Sequence, residues 1–302
     1  MRLKIWIAAA LAALAGCHVQ QDGSPEAAAE LRAAATGQQV RRFYESRGWA
    51  LAWTGEGRAE ALDNAISEAE RHGLDPEPFR PRIANGASPA ARDAALTKAA
   101  LGYAEALARG RTDPVRLRTP YEIPRPNPDL AAGLAHALDV GNLQDWLERL
   151  APQTEEYRAL SDAYLEARRR IAAANGRPDQ RLLADATTLA VNLERRRWLD
   201  REPDETRIDV DTGAAMLFYI RGNRIADSRR VVVGQPGKET PGLASPMVRL
   251  VANPTWTVPV SIQRAEIEPR GRGYMARNRM EYRGRAIVQS PGPHNSLGLV
   301  KF

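Results

Sequence analysis

Few side chains in this chain can do covalent chemistry. Its 302 residues hold one cysteine, Cys17, and four histidines, His18, His72, His136 and His294. A thiol becomes a useful nucleophile near neutral pH when a base lies beside it. Cys17 stands in Leu14-Ala15-Gly16-Cys17, directly after an apolar run from Ile5 to Leu14 that Arg2 and Lys4 precede. Such a run is too short to span a bilayer as a helix and has the layout of an export signal. The small residues Ala15 and Gly16 before the cysteine match a bacterial lipobox, where a diacylglyceryl group is attached to the thiol and the peptide is cut ahead of it. Residues 1–16 are then a lipoprotein signal peptide and Cys17 is the lipidation site. The anchor would hold the chain on a membrane at roughly 0.8 kcal/mol per buried CH₂. With Cys17 committed, residues 1–302 offer no disulfide and no thiol for covalent catalysis.

Other chemistries fare little better. The histidines are scattered, no His-Glu-x-x-His pair occurs, and no metal site is expected. His72 beside Gly73 reads as the end of a helix. His294 precedes Asn295 and Ser296, yet no Gly-x-Ser-x-Gly elbow surrounds Ser296, and no Ser-x-x-Lys occurs anywhere. Gly234-Gln235-Pro236-Gly237-Lys238 lacks the spacing of a phosphate loop, and Glu239 stands where a Ser or Thr would bind magnesium. Gly271 to Ala276 fits the letters of a dinucleotide fingerprint, but Glu268-Pro269-Arg270 precedes it instead of a buried strand. No cofactor is expected.

The remaining candidate for binding is a basic run, of which Arg270, Arg272, Arg277 and Arg279 are the proposed substrate contacts. Guanidinium groups grip carboxylates in a bidentate fork that fixes orientation. A solvated charged loop, tempered by Glu266, Glu268 and Glu281, is the competing reading. Trp256, Gly292 and Gly298 read as core and turn residues.

These side chains must be carried by two kinds of element. Ala, Leu, Arg and Glu dominate residues 26–200, whereas Val, Ile, Thr, Pro and Gly concentrate after 205, so helices precede strands. Residues 17–38 are Gln, Ala, Gly, Ser and Pro with no sustained apolar period and read as a tether, a short helix over 26–35 being the alternative. Within 39–174, Leu62, Ala65, Ile66 and Ala69 share a helical face that Gly73 closes. Ser88-Pro89 opens a second helix that runs to Gly110. Asn127-Pro128 opens a third, Asn142 a fourth and Thr154 a fifth. Residues 175–202 form a linker, mostly one helix. After Pro203 the period falls to two: 208–210, 215–220, 225–233, 247–251, 286–289 and 297–302 read as strands, with Gly222-Asn223 turning a hairpin. Residues 263–285 lack alternation and read as an excursion from the sheet. The +6 formal charge falls by two when Arg2 and Lys4 leave with the signal, a mild excess that suits an anionic envelope polymer. Nucleic acid is not an expected partner of an exported lipoprotein.

Three phrases in the strand-rich half, VVVGQPGKETP (231–241), VANPTWTVPVSI (251–262) and QSPGPHNSLGLVKF (289–302), resemble the L,D-transpeptidases that cross-link bacterial peptidoglycan. In the helical half, FYESRGWALAW, SEAERHGLDPEPF, LGYAEALARGRTDP and LAPQTEEYRALSDAYLEARRRI resemble the scaffold domain of that family's large branch. The resemblance implies an α+β chain: an N-terminal all-helical scaffold bundle over 39–174, then an incomplete, mostly β catalytic domain over 203–302. It also implies peptidoglycan stem peptides as partners, with the chain on the periplasmic side of the cell envelope. In the family a cysteine thiolate attacks the third residue of a donor stem, D-alanine leaves, and an acceptor amine resolves the acyl-enzyme. The family's histidine and Ser-His-Gly-Cys segment find no counterpart in residues 1–302. The sequence is therefore expected to be truncated within the catalytic domain and inactive as written. A non-catalytic peptidoglycan-binding lipoprotein is the alternative.

Overall fold

The computed structural model describes residues 25–117 and 121–302. The signal peptide, Cys17, His18 and the first part of the tether lie outside the described residues. By packing the chain divides into two units, one ending at Gly242 and the other running from Leu243 to Phe302.

The first unit opens with α1 (Pro25–Ala34), so the tether reading is corrected over these residues and the short helix is what forms. Its one large apolar side chain, Leu31, is fully buried and α1 packs on α4. A single leucine makes no visible period, and so the helix ranked behind the tether in the sequence pattern. α2 (Gln38–Ser46) contributes Val40, Phe43 and Tyr44 to the core, and α3 (Arg58–Ser67) contributes Leu62, Ala65 and Ile66. A 3-10 turn, Glu68–His72, extends α3 until Gly73 takes φ 68°, a left-handed position that glycine adopts without strain.

α4 (Pro89–Arg109) is the axis of the bundle, touching α1, α2, α3, α5 and α6. Ser88 caps it by accepting the Ala91 N–H at 3.2 Å, and Pro89 occupies the first turn, where its missing N–H costs nothing. Rows of alanine along α4 let its neighbours approach closely. At its centre Asp93, 4% exposed, accepts the Tyr44 hydroxyl at 2.6 Å and the N–H groups of Ala52 and Trp53 at 2.9 and 2.8 Å. Thr97 adds the Trp53 indole N–H at 2.8 Å. Each buried donor there has an acceptor, and that compensates for removing a carboxylate from water.

α5 (Leu130–Val140) is capped by Asp129, which accepts the Ala132 N–H at 3.1 Å; the expected cap at Asn127-Pro128 is thus displaced to the next residue that carries a carboxylate. α6 (Leu143–Leu150) follows after Gly141, and α7 (Glu155–Ala173) is capped by Thr154. α8 (Gln180–Arg196), read from sequence as joining the two halves, packs along α7 and over the turn at 68–72. Leu193 is fully buried, and a Cβ at Gly73 would lie 3.2 Å from the Ala190 Cα and the Leu193 Cδ1. The left-handed φ and this close approach both require glycine there.

Two arginines lock the end of α8. Arg197, 1% exposed, donates to the His72 carbonyl at 2.7 Å and the Tyr157 hydroxyl at 2.9 Å, and pairs with Glu194 at 2.6 Å. Arg201 gathers carbonyl oxygens from the C-terminal ends of helices, Ala108 at 2.8 Å, Leu199 at 2.8 Å and Arg197 at 3.3 Å. Helix C-termini leave such carbonyls unpaired and carry partial negative charge, so one guanidinium answers several orphans.

β1 (Arg207–Asp211), β2 (Met216–Arg221) and β3 (Arg224–Arg230) form an antiparallel meander in register Arg207 to Ile220 and Met216 to Arg230. Gly222 and Asn223 both have φ 57°, the left-handed pair that matches the twist of a two-residue hairpin. Every residue of β3 is exposed, and the strand ends three residues short of the expected Val233.

In the second unit β4 (Val251–Ala252) pairs with β8 (Val300–Lys301), and β5 (Trp256–Thr257), β7 (Ala286–Gln289) and β6 (Met280–Arg283) form a sheet in the order β5-β7-β6. The expected strands at 247–251 and 297–302 shrink to these two-residue pairs, because Met247, Val248, Leu250, Leu299 and Phe302 remain exposed. The expected excursion over 263–285 is largely helical: after α9 (Val260–Ile262) come a π turn Gln263–Ile267, a 3-10 turn Glu268–Arg270 and α10 (Gly271–Arg277). Its last part is β6, which sequence alternation missed because only Met280 of that strand turns inward. Val258, Ile267, Met275, Met280 and Ile287 make a small separate core. The chain is α+β, with helices in its N-terminal region and small sheets towards its C-terminus.

Candidate functional site

The arginines nominated from sequence sit on and beside the excursion. Arg270 closes the 3-10 turn and its guanidinium lies over the Tyr274 ring at 4.8 Å. Arg272 and Arg277 are exposed on α10. Arg279 follows with φ 52°, and its carbonyl accepts the Ser290 N–H at 3.0 Å, tying it to the loop after β7. Among the described residues Arg272, Arg277 and Arg279 make no ion pair, so their charge faces solvent. The neighbouring acids are engaged elsewhere: Glu281 pairs with Arg283 at 2.8 Å, and Glu268 accepts Gln263 at 2.9 Å and the Tyr282 hydroxyl at 3.2 Å. That hydroxyl titrates above the usual tyrosine range, chiefly through desolvation, helped by its bond to Glu268 and opposed by the nearby Arg272. The arrangement is a cationic surface on a packed helical support.

Three buried amides hold that support, and sequence reasoning gave none of them that role. Gln263 accepts the Ile287 N–H at 3.1 Å and donates to the Arg285 carbonyl at 3.2 Å, pinning the excursion to β7. Gln289, 1% exposed, donates to the carbonyls of Asn278 and His294 and accepts the Ser296 N–H at 3.0 Å. Asn295 donates to the Pro254 carbonyl at 3.1 Å and accepts the Leu297 N–H at 2.8 Å. An amide can satisfy donors and acceptors of irregular backbone at once, which an apolar side chain cannot. The available signal was Gln289 at the end of an otherwise apolar strand. Trp256 packs on the small core as expected, and Gly298 takes a left-handed turn position.

Of the described histidines, His136 and His294 are exposed and His72 is buried. His72 does more than end a helix. Its Nδ1 lies 3.1 Å from the Tyr157 hydroxyl and its Nε2 3.5 Å from Glu148. Burial depresses its pKa although Glu148 pulls the other way, and the hydrogen bond from His72 holds the Glu148 carboxyl low. Among the described residues no cysteine or serine hydroxyl is in hydrogen-bond contact with the ring, and the network is a helix lock.

The turn at Gly234 is closed on itself. Gly234 N–H donates to Thr240 at 2.8 Å and Gly237 N–H to Glu239 at 2.8 Å, the latter keeping the exposed Glu239 carboxyl below its ordinary range. Amides engaged in this way are not presented to a phosphate. Gly271 likewise follows a 3-10 turn, not a strand. Among the described residues no three His, Cys, Asp or Glu side chains converge as a metal site, and no helix is long and apolar enough to cross a membrane.

Comparison with known proteins agrees with the division into helices and strands. A model of the Scaffold domain matches residues 38–163, and a model of the L,D-transpeptidase catalytic domain matches residues 205–302. No curated protein matches the chain.

Proposed function

We propose, for a chain that belongs to the L,D-transpeptidases with an N-terminal scaffold domain, that it serves peptidoglycan cross-linking at the cell envelope. The observation that carries this reading is the order of the two matches, scaffold at 38–163 and catalytic domain at 205–302. In this reading Cys17 carries the lipid anchor, and the helical body holds the catalytic strands on the periplasmic side of the membrane. Arg270, Arg272, Arg277 and Arg279 bind the carboxylates of stem peptides. Unpaired guanidinium groups on a rigid support suit that role, since little ordering remains to be done when the ligand arrives.

Cross-linking exchanges one amide for another through a thioester. The thiolate adds to the donor carbonyl, D-alanine departs with a proton, and the acceptor amine then releases the thiol. Residues 1–302 contain one thiol, Cys17, which this reading assigns to the lipid. The chain as given is therefore expected to bind stem peptides without turning them over. The nucleophile is to be sought by reading the codons after that for Phe302: an in-frame His and Ser-His-Gly-Cys segment would support the enzyme. The single cysteine also favours a second reading, a non-catalytic lipoprotein that binds peptidoglycan, which a stop codon directly after Phe302 would support.

Binding is tested with purified sacculi. The chain starting at Cys17 should be retained, and replacing the four arginines by Ala should reduce retention and its salt sensitivity together. Undiminished retention would remove the arginines from the reading, and no retention of the parent chain would overturn the binding role.

A further inference from the structure

The helical body contains an open cleft of about 390 Å³ between the C-terminal half of α4 and the segment that follows it. Its walls are charged in an uneven way. Arg111 makes no ion pair among the described residues and lies over the Phe79 ring at 5.5 Å, which fixes its guanidinium at the cleft. Arg109 donates to Asn127 at 3.3 Å, but its buried Nε has no hydrogen-bond partner among the described residues. Asp113 is shared between Arg125 at 3.1 Å and Arg116 at 3.6 Å, so one carboxylate faces two guanidinium groups on this part of the wall. Glu105, also on α4, lines the same cleft and makes no ion pair among the described residues.

Four arginines, Arg109, Arg111, Arg116 and Arg125, line the cleft against two carboxylates, Glu105 and Asp113, so an anion entering it meets an excess of positive charge. The Arg111 guanidinium, stacked on an aromatic ring, has little freedom left to lose on binding, because the ring already orients it. The volume lies in the range of small-ligand sites. We infer that this cleft binds a short peptide by its free carboxylate, with Arg109 and Arg111 taking the carboxylate and Glu105 receiving an amino group of the same ligand. The inference goes beyond the reading of residues 205–302, since every residue it uses lies in the helical body. A site of this kind would let the scaffold hold a peptide while the strands work on another.

Calorimetric titration of the full chain tests it with three probes: tri-alanine, tri-alanine amide and inorganic phosphate. Tri-alanine should bind, and blocking its carboxylate as the amide should weaken binding at least tenfold, as loss of a charge-assisted bond implies. Arg111→Ala should weaken tri-alanine by a similar factor, whereas Glu105→Gln should weaken tri-alanine while leaving phosphate unchanged. Both positions face solvent, and an unaltered helical circular-dichroism spectrum checks that the variants are folded. Phosphate binding as tightly as tri-alanine would overturn the peptide assignment, and no binding of either probe, or binding indifferent to Arg111→Ala, would overturn the site. Sacculus retention by the excursion arginines is a separate measurement, so either reading can fail alone.

Discussion

The helical body and the strands that follow it solve the burial problem by different means. From Leu31 to Leu193 a single continuous core is closed by apolar side chains, and its polar members, Asp93, His72 and Arg197, have partners. Beyond residue 205 the strands fall into three small sheets, the only separate core cluster has five residues, and Val232, Val248 and Ile225 stand exposed. Irregular backbone there is held by Gln263, Gln289 and Asn295. Helices satisfy their own backbone and need only one apolar stripe, whereas strands need neighbours on both edges and a cover on a face. The lesson is that local hydrogen bonding lets the first region specify itself, and the second depends on contacts distant in sequence.

That contrast is broken most directly at Arg197. Arg197→Ala strips partners from the His72 carbonyl, the Tyr157 hydroxyl and Glu194, and should cost about 3–5 kcal/mol in denaturant unfolding followed by helical circular dichroism. A loss below about 1 kcal/mol would mean that α8 is not locked to the body. Leu193→Ala follows at about 2–5 kcal/mol on the same signal, by leaving a cavity beneath Gly73. Gln289→Ala, at about 1–3 kcal/mol, sharpens the contrast because its effect should appear as faster amide exchange at Ser296 and Asn295, with the helical transition little moved.

A smaller effect is expected from pH. Burial lowers the pKa of His72, so below about 6.5 the unfolded chain takes up a proton that the folded one resists. Stability of the helical body should therefore be full above that value and decline as pH falls below it, and His72→Gln should flatten the decline between about pH 6.5 and 5. Glu148, whose pKa is lowered by the His72 hydrogen bond, adds a further loss only at more acid pH. Smallest of all, Val232→Ser at a fully exposed position should change the unfolding free energy by less than about 0.5 kcal/mol.

Much of the helical region was legible because punctuation and period act locally. Ser88, Thr154, Gly73, Gly110 and Gly141 end or begin helices where the sequence places them. α1 stood only as the alternative to a tether, for want of a second large apolar residue, and the α5 cap moved to Asp129 because capping follows the side chain that reaches the N–H. In the strand region the hairpin at Gly222-Asn223 was legible from its turn residues, while β6 and the helical excursion were not. A short strand with one inward side chain has no alternation to read. The arginines were found by composition, and the amides that support them were invisible because their partners are backbone groups up to 41 residues away.

By itself the sequence determined the family, the order of helices before strands and the presence of a single thiol in 302 residues. Composition also set the change of structure near 203, close to the start of the matched catalytic domain at 205. Tertiary structure alone decided that the meander β1–β3 groups with the helical unit up to Gly242, where the Glu122 N–H donates to the Gly242 carbonyl. It also decided which polar groups are buried in pairs and which arginines are left facing open space. The reason is physical: caps, turns and periods are set by neighbours in the chain, but burial and pairing are set by neighbours in space.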